Sequence, residues 1–499
     1  MTPPRLFLVA LFVAATLAVS IPAPVVRAAP VAPGTTLVTG PYVLLSWNDL
    51  GMHCMNQLHA RFSVLPPYNN LDAQLIRRGD ATHKPQLVTQ DVTVGYSFPG
   101  NTTSVTKTDF WTYAYALFGV TLPPDIGLTG LGLSGNMVVV GPRYRAEGIP
   151  LTPFLDATPT VESPYQQALV IARDGLGAEL ARSHPVAPVS VELSCVSAGC
   201  HASEQAILQG HEAVTGFDPA VTPILCAKCH ADPVLGAPGR PGAGYFSFRM
   251  HDQHKFLDEQ MSGTALCYKC HPGQNAKCLR GVMNNRFGMV CQDCHGNMVE
   301  MSNSIETGRI PWLNEPSCRN CHTERFGEPV GQLFRQSTGH GGVMCEGCHN
   351  STHAEWPSFR PEDNDNIIAL QGMAGPLADC RVCHTVTPTV PGPHGIDATT
   401  SVADEVLAGG SPMQVRPNPM REGCRISFTA RHAGTGTLVI FDAQGRTLRF
   451  LRPESAGSGS MRVQWDGRDH DGRRVRPGQY FARWQQGEEK AAARITVVN

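Results

Sequence analysis

The chain has 499 residues, enough for two to four domains, and it carries 40 basic against 42 acidic residues. This balance gives no reason to expect a nucleic-acid partner or an anionic membrane surface. The 50 glycines and 40 prolines favour loops and short strands over long helices.

Residues 1–28 are predicted to be a secretory signal peptide. Arg5 supplies the positive charge, residues 6–19 form an apolar run, and Ala28 ends a small-residue cleavage pattern. A retained membrane anchor is the alternative, but the run is short for a spanning helix. No second apolar run of about 20 residues follows. We therefore expect an exported protein, periplasmic or extracellular, with no membrane span after cleavage.

Residues 36–188 are predicted to form a β-sandwich-like domain. Residues 42–47 and 92–98 alternate with a period of two, and residues 137–140 and 168–172 have the composition of buried strands. Asp174-Gly175 indicates a hairpin turn. The glycosylation sequon at Asn101 is expected to be unused.

Residues 189–395 contain seven cysteine pairs, each followed at once by histidine. Six have the spacing C-x-x-C-H, and the first is stretched to C-x-x-x-x-C-H. C-x-x-C-H is the attachment motif of c-type haem, in which two thiols bind the vinyl groups and the histidine becomes an axial iron ligand. A zinc site would need tandem pairs, whereas here every pair has its own histidine. For the stretched copy, a disulfide or a non-functional relic is the alternative.

The sequence thus predicts seven haem c groups. The predicted attachment residues are Cys195, Cys200, Cys226, Cys229, Cys267, Cys270, Cys291, Cys294, Cys318, Cys321, Cys345, Cys348, Cys380 and Cys383. The predicted proximal ligands are His201, His230, His271, His295, His322, His349 and His384. With roughly 30 residues for each haem, the porphyrins would form the core of a loop-rich domain with short helices.

Residues 396–414 are predicted to be a linker, and residues 415–499 a small antiparallel sandwich. Short apolar strands there are separated by turn sequences at residues 442–445, 465–469 and 477–480. The fold class is therefore multi-domain, with sandwiches on both sides of a haem-packed segment.

Each haem iron has a second axial position, and the histidine count of 19 is sufficient to fill all seven. His432 and His470 are predicted to be surface residues of the C-terminal sandwich. The predicted distal ligands are His53, His211, His251, His254, His340, His353 and His394. His251 and His254 are expected to serve two different haems. His53 is the least certain member of the set by sequence, with His59, His83 and His184 as alternatives. The less favoured alternative is methionine ligation, by Met250, Met298 or Met344.

Three cysteines lie outside the motifs, namely Cys54, Cys278 and Cys424. An odd number of cysteines outside the motifs of an exported protein suggests one disulfide and one lone thiol. We predict a bond between Cys54 and Cys278, joining the N-terminal domain to the haem segment, and a buried Cys424.

Residues 42–395 resemble a group of exported multihaem c-type cytochromes. The similar segments are residues 47–54, 96–99, 223–230, 267–272 with Cys278, 338–342, 345–349 with His353, and 392–395. The resemblance implies an electron conduit with stacked haems, of a kind that sometimes polymerises.

Residues 415–499 resemble the immunoglobulin-like domain of flagellar hook-capping (FlgD-like) proteins. The similar segments are residues 417–419, 442–445, 465–467 and 478–480. The resemblance implies a docking module or a sorting signal for type IX secretion.

Electron transfer is the function that the motifs favour, with redox proteins or extracellular acceptors as partners and self-assembly left open. Haems with both axial positions filled leave no iron site for a substrate, so an enzyme is disfavoured. The alternative is a multihaem reductase with one open haem acting on a small oxidised substrate. The haem at His201 is the candidate for the open axial position, because its motif is stretched. A protein with a passive haem core is the third possibility.

Overall fold

The architecture is that of a computed structural model, which describes residues 38–193, 195–261, 263–273, 275–390, 392–395, 413–429, 437–442, 447–455, 460–470, 472–486 and 489–498. The predicted signal peptide and nearly all of the predicted linker lie outside these residues, as does His432.

Strands dominate the N-terminal part. They are β1 Tyr42–Trp47, β2 His53–Cys54, β3 Phe62–Ser63, β4 Asn69–Arg77, β5 Gln86–Val88, β6 Val92–Ser97, β7 Ser134–Asn136, β8 Val138–Val140, β9 Arg143–Ile149, β10 Phe154–Leu155, β11 Thr158–Glu162, β12 Tyr165–Gln167, β13 Leu169–Asp174, β14 Glu179–Ser183 and β15 Val186–Ser190. One helix, α1 Phe110–Phe118, follows β6.

Two antiparallel sheets of this part share one apolar core. The first has the order β1-β4-β9-β8 with β5 on β4, and the second has the order β14-β13-β6-β7. Leu44 and Leu71 from the first sheet pack with Val94 and Val170 from the second, all nearly inaccessible to solvent. The strands β1 and β4 are buried on both faces, so one face lies in this core and the other is covered elsewhere. The N-terminal part is therefore rich in strands, as the predicted fold class requires, and the bounds 36–188 stay a prediction.

The prediction that residues 137–140 form a buried strand is wrong for three of the four positions. Met137 is buried, but β8 exposes Val138, Val139 and Val140 by 64%, 51% and 43%. The reason is that β8 lies at the edge of its sheet, paired only with β9 in the sheet order. Three consecutive valines favour a strand by their branching, whatever their burial.

A buried lysine holds the loop that follows β6. The Lys107 side chain is 1% exposed, and its Nζ donates to Asn101 Oδ1 at 2.7 Å, Phe154 O at 2.9 Å and Asp156 Oδ1 at 2.6 Å. The three donors of the ammonium are thereby satisfied. Asn101 itself is buried, so the sequon is inaccessible in the folded chain.

Replacing Lys107 by methionine is expected to lower the free energy of unfolding by about 1–3 kcal/mol, because the Asn101 and Phe154 oxygens lose their donor. Burial alone would raise the pKa of Asp156, but hydrogen bonds from Lys107 and Thr102 outweigh it and lower the pKa to about 2. A carboxyl group whose pKa is depressed in the folded state stabilises the fold at pH values above its usual pKa of about 4. This stabilisation is lost as the pH falls towards 2. Urea unfolding should therefore show that the change from pH 7 to pH 3 lowers the free energy of unfolding less in Lys107→Met than in the wild type. The exposed Lys84→Met is the control. An equal decrease in the wild type and in Lys107→Met would contradict this.

The cysteine-rich part is built from short helices and loops, as predicted. The helices are α2 Glu204–Gln209, α3 Phe246–His254, α4 Thr264–Cys267, α5 Val282–Asn285, α6 Cys291–His295, α7 Met298–Glu306, α8 Arg319–Phe326, α9 Cys345–His349 and α10 Pro361–Gln371, and one short strand is β16 Ile224–Leu225. Single turns of 3₁₀ helix lie at Cys226–Lys228, Lys255–Glu259, Phe334–Gln336, His340–Gly342, Cys380–Val382 and Pro393–Gly395.

This part has no separate apolar core among the described residues. Its buried Ile367 and Val382 pack with Val43 and Leu45 of β1, and Leu225 packs with Leu117 of α1. Every apolar cluster that it enters is shared with the N-terminal domain. A protein segment of this length normally needs a core of its own to fold.

The C-terminal part is a two-sheet sandwich. Its strands are β17 Gln414–Arg416, β18 Cys424–Thr429, β19 Thr437–Asp442, β20 Thr447–Leu451, β21 Glu454–Ser455, β22 Ser460–Trp465, β23 Gly478–Gln486 and β24 Glu489–Val497. The sheet orders are β17-β18-β22-β21 and β20-β19-β23-β24. Trp465 and Trp484 lie in the shared core with the predicted buried Cys424, and His470 is exposed as predicted. The predicted turn at residues 442–445 lies mostly outside the described residues. None of the described helices has the length and apolar character needed to cross a membrane.

Candidate haem sites

Each cysteine–histidine motif closes a tight turn. The His230 amide donates to Cys226 O at 3.0 Å, and the His384 amide donates to Cys380 O at 2.9 Å. In the stretched first motif the His201 amide still reaches Cys195 O, at 3.2 Å. The two extra residues therefore bulge without separating the first cysteine from the histidine. Local hydrogen bonding thus holds the groups that one porphyrin would need side by side.

Six motif histidines face a histidine from elsewhere in the chain. The ring centroids are separated by 6.1 Å in His201–His254, 6.3 Å in His230–His211, 6.3 Å in His271–His251, 6.1 Å in His295–His353, 6.1 Å in His349–His394 and 6.3 Å in His384–His340. The near-constant separation is unexpected for six unrelated side-chain contacts.

This separation fits one metal ion between two imidazoles. A ring nitrogen lies about 2 Å from a bound metal ion, and the ring centre lies roughly 1 Å further out. Two imidazoles on opposite sides of one iron would therefore have centroids about 6 Å apart. Four porphyrin nitrogens complete the coordination of a haem iron, so two protein ligands for each iron suffice. Among the described residues, no group of three or more His, Cys, Asp and Glu side chains could hold a metal ion by itself.

Second hydrogen bonds orient the non-motif rings. His251 Nδ1 lies 2.7 Å from Ser247 O, and His254 Nδ1 lies 2.7 Å from Met250 O. A carbonyl accepts only, so Nδ1 carries the proton and Nε2 keeps its lone pair. That tautomer presents Nε2 as the ligand atom. Met250, a weak alternative ligand by sequence, contributes its main-chain oxygen here.

Burial keeps several of these imidazoles neutral. It lowers the pKa of His271, His295, His349 and His353 to about 4, and charges on neighbouring groups modify the effect. A histidine must be neutral to bind a metal ion, so these rings are in the ligand form at neutral pH.

His251 and His254 lie on α3 and face different motifs, at His271 and His201. The chain separation of three residues places them on one side of the helix at successive turns. The arrangement is compatible with service to two different haems, which stays a prediction.

Of the seven predicted distal histidines, His53 is the one that the structure does not bring to a motif histidine. Its ring lies 6.4 Å from that of Tyr68, and its Nε2 lies 3.5 Å from Asp49 Oδ1. His53 therefore stays a predicted distal ligand without a facing motif histidine, and the first motif has His254 opposite His201. Two of the alternatives, His83 and His184, are exposed.

His322 is the motif histidine without a partner ring in the part of the chain that the structure describes. The expectation that the open haem would be the one at His201 is therefore not supported. The unusual spacing of the first motif suggested an open haem at His201. The facing histidine comes from a distant segment, however, and its position is independent of the spacing within the motif.

His59 is a further buried histidine of the N-terminal domain. It is 0% exposed, its Nδ1 lies 3.0 Å from Ser63 Oγ, and its Nε2 has no hydrogen-bond partner among the residues that the structure describes. The ring packs on the edge of Phe110 at 5.3 Å. The structure does not bring His59 to a motif histidine.

Neighbouring motifs lie close enough for their thiols to interact. A hydrogen bond from Cys291 lowers the pKa of Cys267, which links the third and fourth motifs. Burial raises the pKa of Cys348 to about 12, and Cys383 of the last motif adds to the shift. These interactions place the third motif next to the fourth, and the sixth motif near the seventh.

The N-terminal domain is docked on the cysteine-rich part, a relation that sequence reasoning left open. Trp47 Nε1 donates to Glu346 Oε2 inside the sixth motif at 2.9 Å. Gln74 Oε1 accepts from the Met344 amide at 2.9 Å. Gly79 N donates to Cys383 O at 2.9 Å. The tryptophan of residues 47–54 was a visible signal, but its acceptor lies about 300 residues away and no local pattern marks it.

Cys54 and Cys278 are free thiols in the structure, so the predicted bond between them stays a prediction. Burial raises the pKa of Cys54, and charge on Cys278 adds to the shift. Cys278 Sγ also lies 3.4 Å from His353 Nδ1, a contact that the sequence did not indicate.

Two family profiles match parts of the chain. Residues 297–350 match the family of cytochrome c554 and c-prime. Similarity to this cytochrome family implies haem c in this stretch, which spans the fifth and sixth motifs. Residues 421–486 match the FlgD Ig-like domain, which confirms the predicted immunoglobulin-like domain over that range.

None of the curated proteins matches the chain. Among solved structures, PorZ, an essential surface component of the type-IX secretion system of Porphyromonas gingivalis, is 27% identical over 20% of this chain and 13% of its own, with a TM-score of 0.15. Dimeric latent PorU from Porphyromonas gingivalis is 21% identical over 17% of this chain and 9% of its own, with a TM-score of 0.15. Both TM-scores are too low to support a shared architecture.

Proposed function

We propose that this protein is an exported multihaem c-type cytochrome that carries electrons through seven covalently attached haems. The observation that carries the proposal is the set of six facing histidine pairs, with ring separations of 6.1–6.3 Å. A ring pair at that spacing has room for one iron and leaves no axial position for a substrate.

The residues fit the group in three respects. Each motif turn offers two thiols and a histidine, and a facing imidazole lies opposite six of the seven. The described residues of the cysteine-rich part have no apolar core of their own, and porphyrins could supply one. When bound, haem supplies a one-electron couple at iron. The protein holds each group by thioethers, fixes the imidazole tautomer and sets the polarity around the iron.

A second candidate function is reduction of a small oxidised substrate at the haem of the fifth motif. It is favoured by the absence of a facing ring at His322 among the described residues. An iron with one protein ligand has an exchangeable position, which a multihaem reductase requires. Phe326, at the end of the helix that contains His322, packs against His394, with ring centroids 5.3 Å apart.

The test is spectroscopy of the purified holoprotein with the haem number fixed by its mass. We expect seven haems, of which six are low-spin and indifferent to carbon monoxide after reduction and one, at His322, binds it. Fewer than seven haems, or carbon monoxide binding to two or more, would contradict the proposal. Mixing the reduced protein with nitrite or sulfite then separates the candidates, because only a reductase is reoxidised repeatedly with product formed.

The redox partners are proposed to be electron-transfer proteins or extracellular acceptors, and the cell location periplasmic or extracellular. The FlgD-like domain would serve as a docking module or a secretion signal. The N-terminal domain would act as a scaffold, because it contacts the second motif through β3 and β16 and the sixth and seventh through Trp47 and Gly79.

A further inference from the structure

One of the paired histidines has a sulfur atom, rather than a carbonyl oxygen, at Nδ1. His211, His251 and His254 each have Nδ1 next to a main-chain oxygen, at 3.2, 2.7 and 2.7 Å. For His353 the neighbour is Cys278 Sγ at 3.4 Å. The acceptor on Nδ1 controls how basic the ligand nitrogen is, and therefore the properties of the metal. Cys278 is thus in a position to influence the haem at His295.

A second non-motif cysteine lies beside this one. Met52, two residues before Cys54, and Ala276, two residues before Cys278, pack in the same apolar cluster, which Cys278 also contacts. Arg280 Nη1 donates to Gly51 O and lies 3.3 Å from Cys278 O. The segments that carry the two cysteines therefore run next to each other.

The same segment of the N-terminal domain touches His353. A Cβ atom added at Gly51 would lie 3.3 Å from His353 Cβ, and the Arg280 amide donates to His353 O at 2.9 Å. The segments that carry Cys54, Cys278 and His353 thus meet in one cluster at the junction of the domain with the haem segment. We name it the thiol–histidine cluster.

We propose that Cys54 and Cys278 are a redox-sensitive pair whose conversion to a disulfide weakens the hydrogen bond on His353 Nδ1 and raises the reduction potential of the haem at Cys291–His295. This rests on the proposed function. The oxidant is a low-molecular-weight disulfide. The two thiols exchange with it to form one S–S bond in the protein, while its own S–S bond breaks and takes up the two electrons and two protons as two free thiols.

The physical reason for the shift is the acceptor strength of sulfur. With Nε2 facing iron, Nδ1 carries the proton and must donate. A thiol sulfur can turn a lone pair towards that donor, whereas a disulfide sulfur is held by its second bond and has a fixed dihedral preference. A weaker acceptor leaves the imidazole less electron-rich, which stabilises the ferric state less.

The test compares the holoprotein incubated with oxidised or with reduced glutathione. Peptide masses should show a Cys54–Cys278 cross-link, two hydrogens lighter, after oxidised glutathione only. A potentiometric titration should show one haem shifted upward in the oxidised sample. Cys54→Ser should lose both the cross-link and the glutathione-dependent shift while keeping Cys278 against His353. Cys424→Ala, which removes the third non-motif cysteine, should retain both.

A cross-link without a change in any haem potential would overturn the proposal, as would the absence of a cross-link. A shift that persists in Cys54→Ser would also overturn it. A chain without covalent haem would instead refute the proposed function, and the cross-link would still report separately on the cysteine pair. Cys278→Ser adds a second variant, in which the potential should differ from wild type but no longer respond to glutathione.

Discussion

The His340→Ala variant is expected to bind one more carbon monoxide molecule per chain than the wild type. His340 faces His384 of the last motif with ring centroids 6.3 Å apart. Its side chain is exposed, so its loss removes little packing. The haem at His384 would lose its second axial ligand and become five-coordinate, and after reduction its open position would take carbon monoxide.

The measurement is a carbon monoxide titration of the reduced holoprotein, with low-temperature EPR of the oxidised form. Seven haems by mass and a new high-spin signal are expected, and added imidazole should restore the low-spin signal by filling the position. His83→Ala is the matched control, because His83 is exposed and contacts Asp80 rather than a motif histidine. An unchanged carbon monoxide stoichiometry in His340→Ala, or an increase in the control, would refute the ligand assignment.

The Arg280→Met variant is expected to lose about 3–5 kcal/mol of stability, the usual cost of removing one partner of a buried ion pair. The Arg280 side chain is 0% exposed, and Nε and Nη2 donate to the two Asp363 carboxylate oxygens at 2.6 and 2.9 Å. Its guanidinium also lies 5.1 Å from the Tyr165 ring centroid and donates to Gly51 O. The Arg280 side chain thus connects the N-terminal domain with two segments of the cysteine-rich part. Its removal leaves the Asp363 charge buried without a partner cation.

Urea unfolding of the holoprotein, followed by far-ultraviolet circular dichroism, measures this effect. The control is Arg182→Met, since Arg182 is 54% exposed and solvent screens its pair with Glu179. The double variant Arg280→Met, Asp363→Leu should recover much of the loss, because it leaves no unpaired charge. A loss in Arg280→Met no larger than in the control would show that the buried pair does not stabilise the junction.

The sequence predicted much of the secondary structure because strand propensity is a local property, even where, as in β1, both faces of the strand are buried. Residues 42–47 coincide with β1, and Asp174-Gly175 opens the turn between β13 and β14. The same logic misjudged β8, since composition indicates a strand and only sheet order decides whether it is an edge. The C-terminal strands containing Ile426, Ile440 and Ile495 follow the predicted pattern and share one core.

The sequence by itself determined the seven cysteine–histidine motifs and the prediction of covalent haem, because such attachment needs two cysteines and a histidine within one turn. It also indicated which histidines to consider as distal ligands, from their number and from the shortage of other residues in the segment. Only the tertiary structure decided which of them face which motif. His353 reaches His295, and His394 reaches His349, across segments that no spacing rule connects. The same long-range packing left His53 beside Asp49, His322 without a facing ring among the described residues, and Cys278 against His353. The pairing of histidines depends on which distant loops come into contact. Packing of these loops against the N-terminal sheets, rather than the local sequence, determines those contacts.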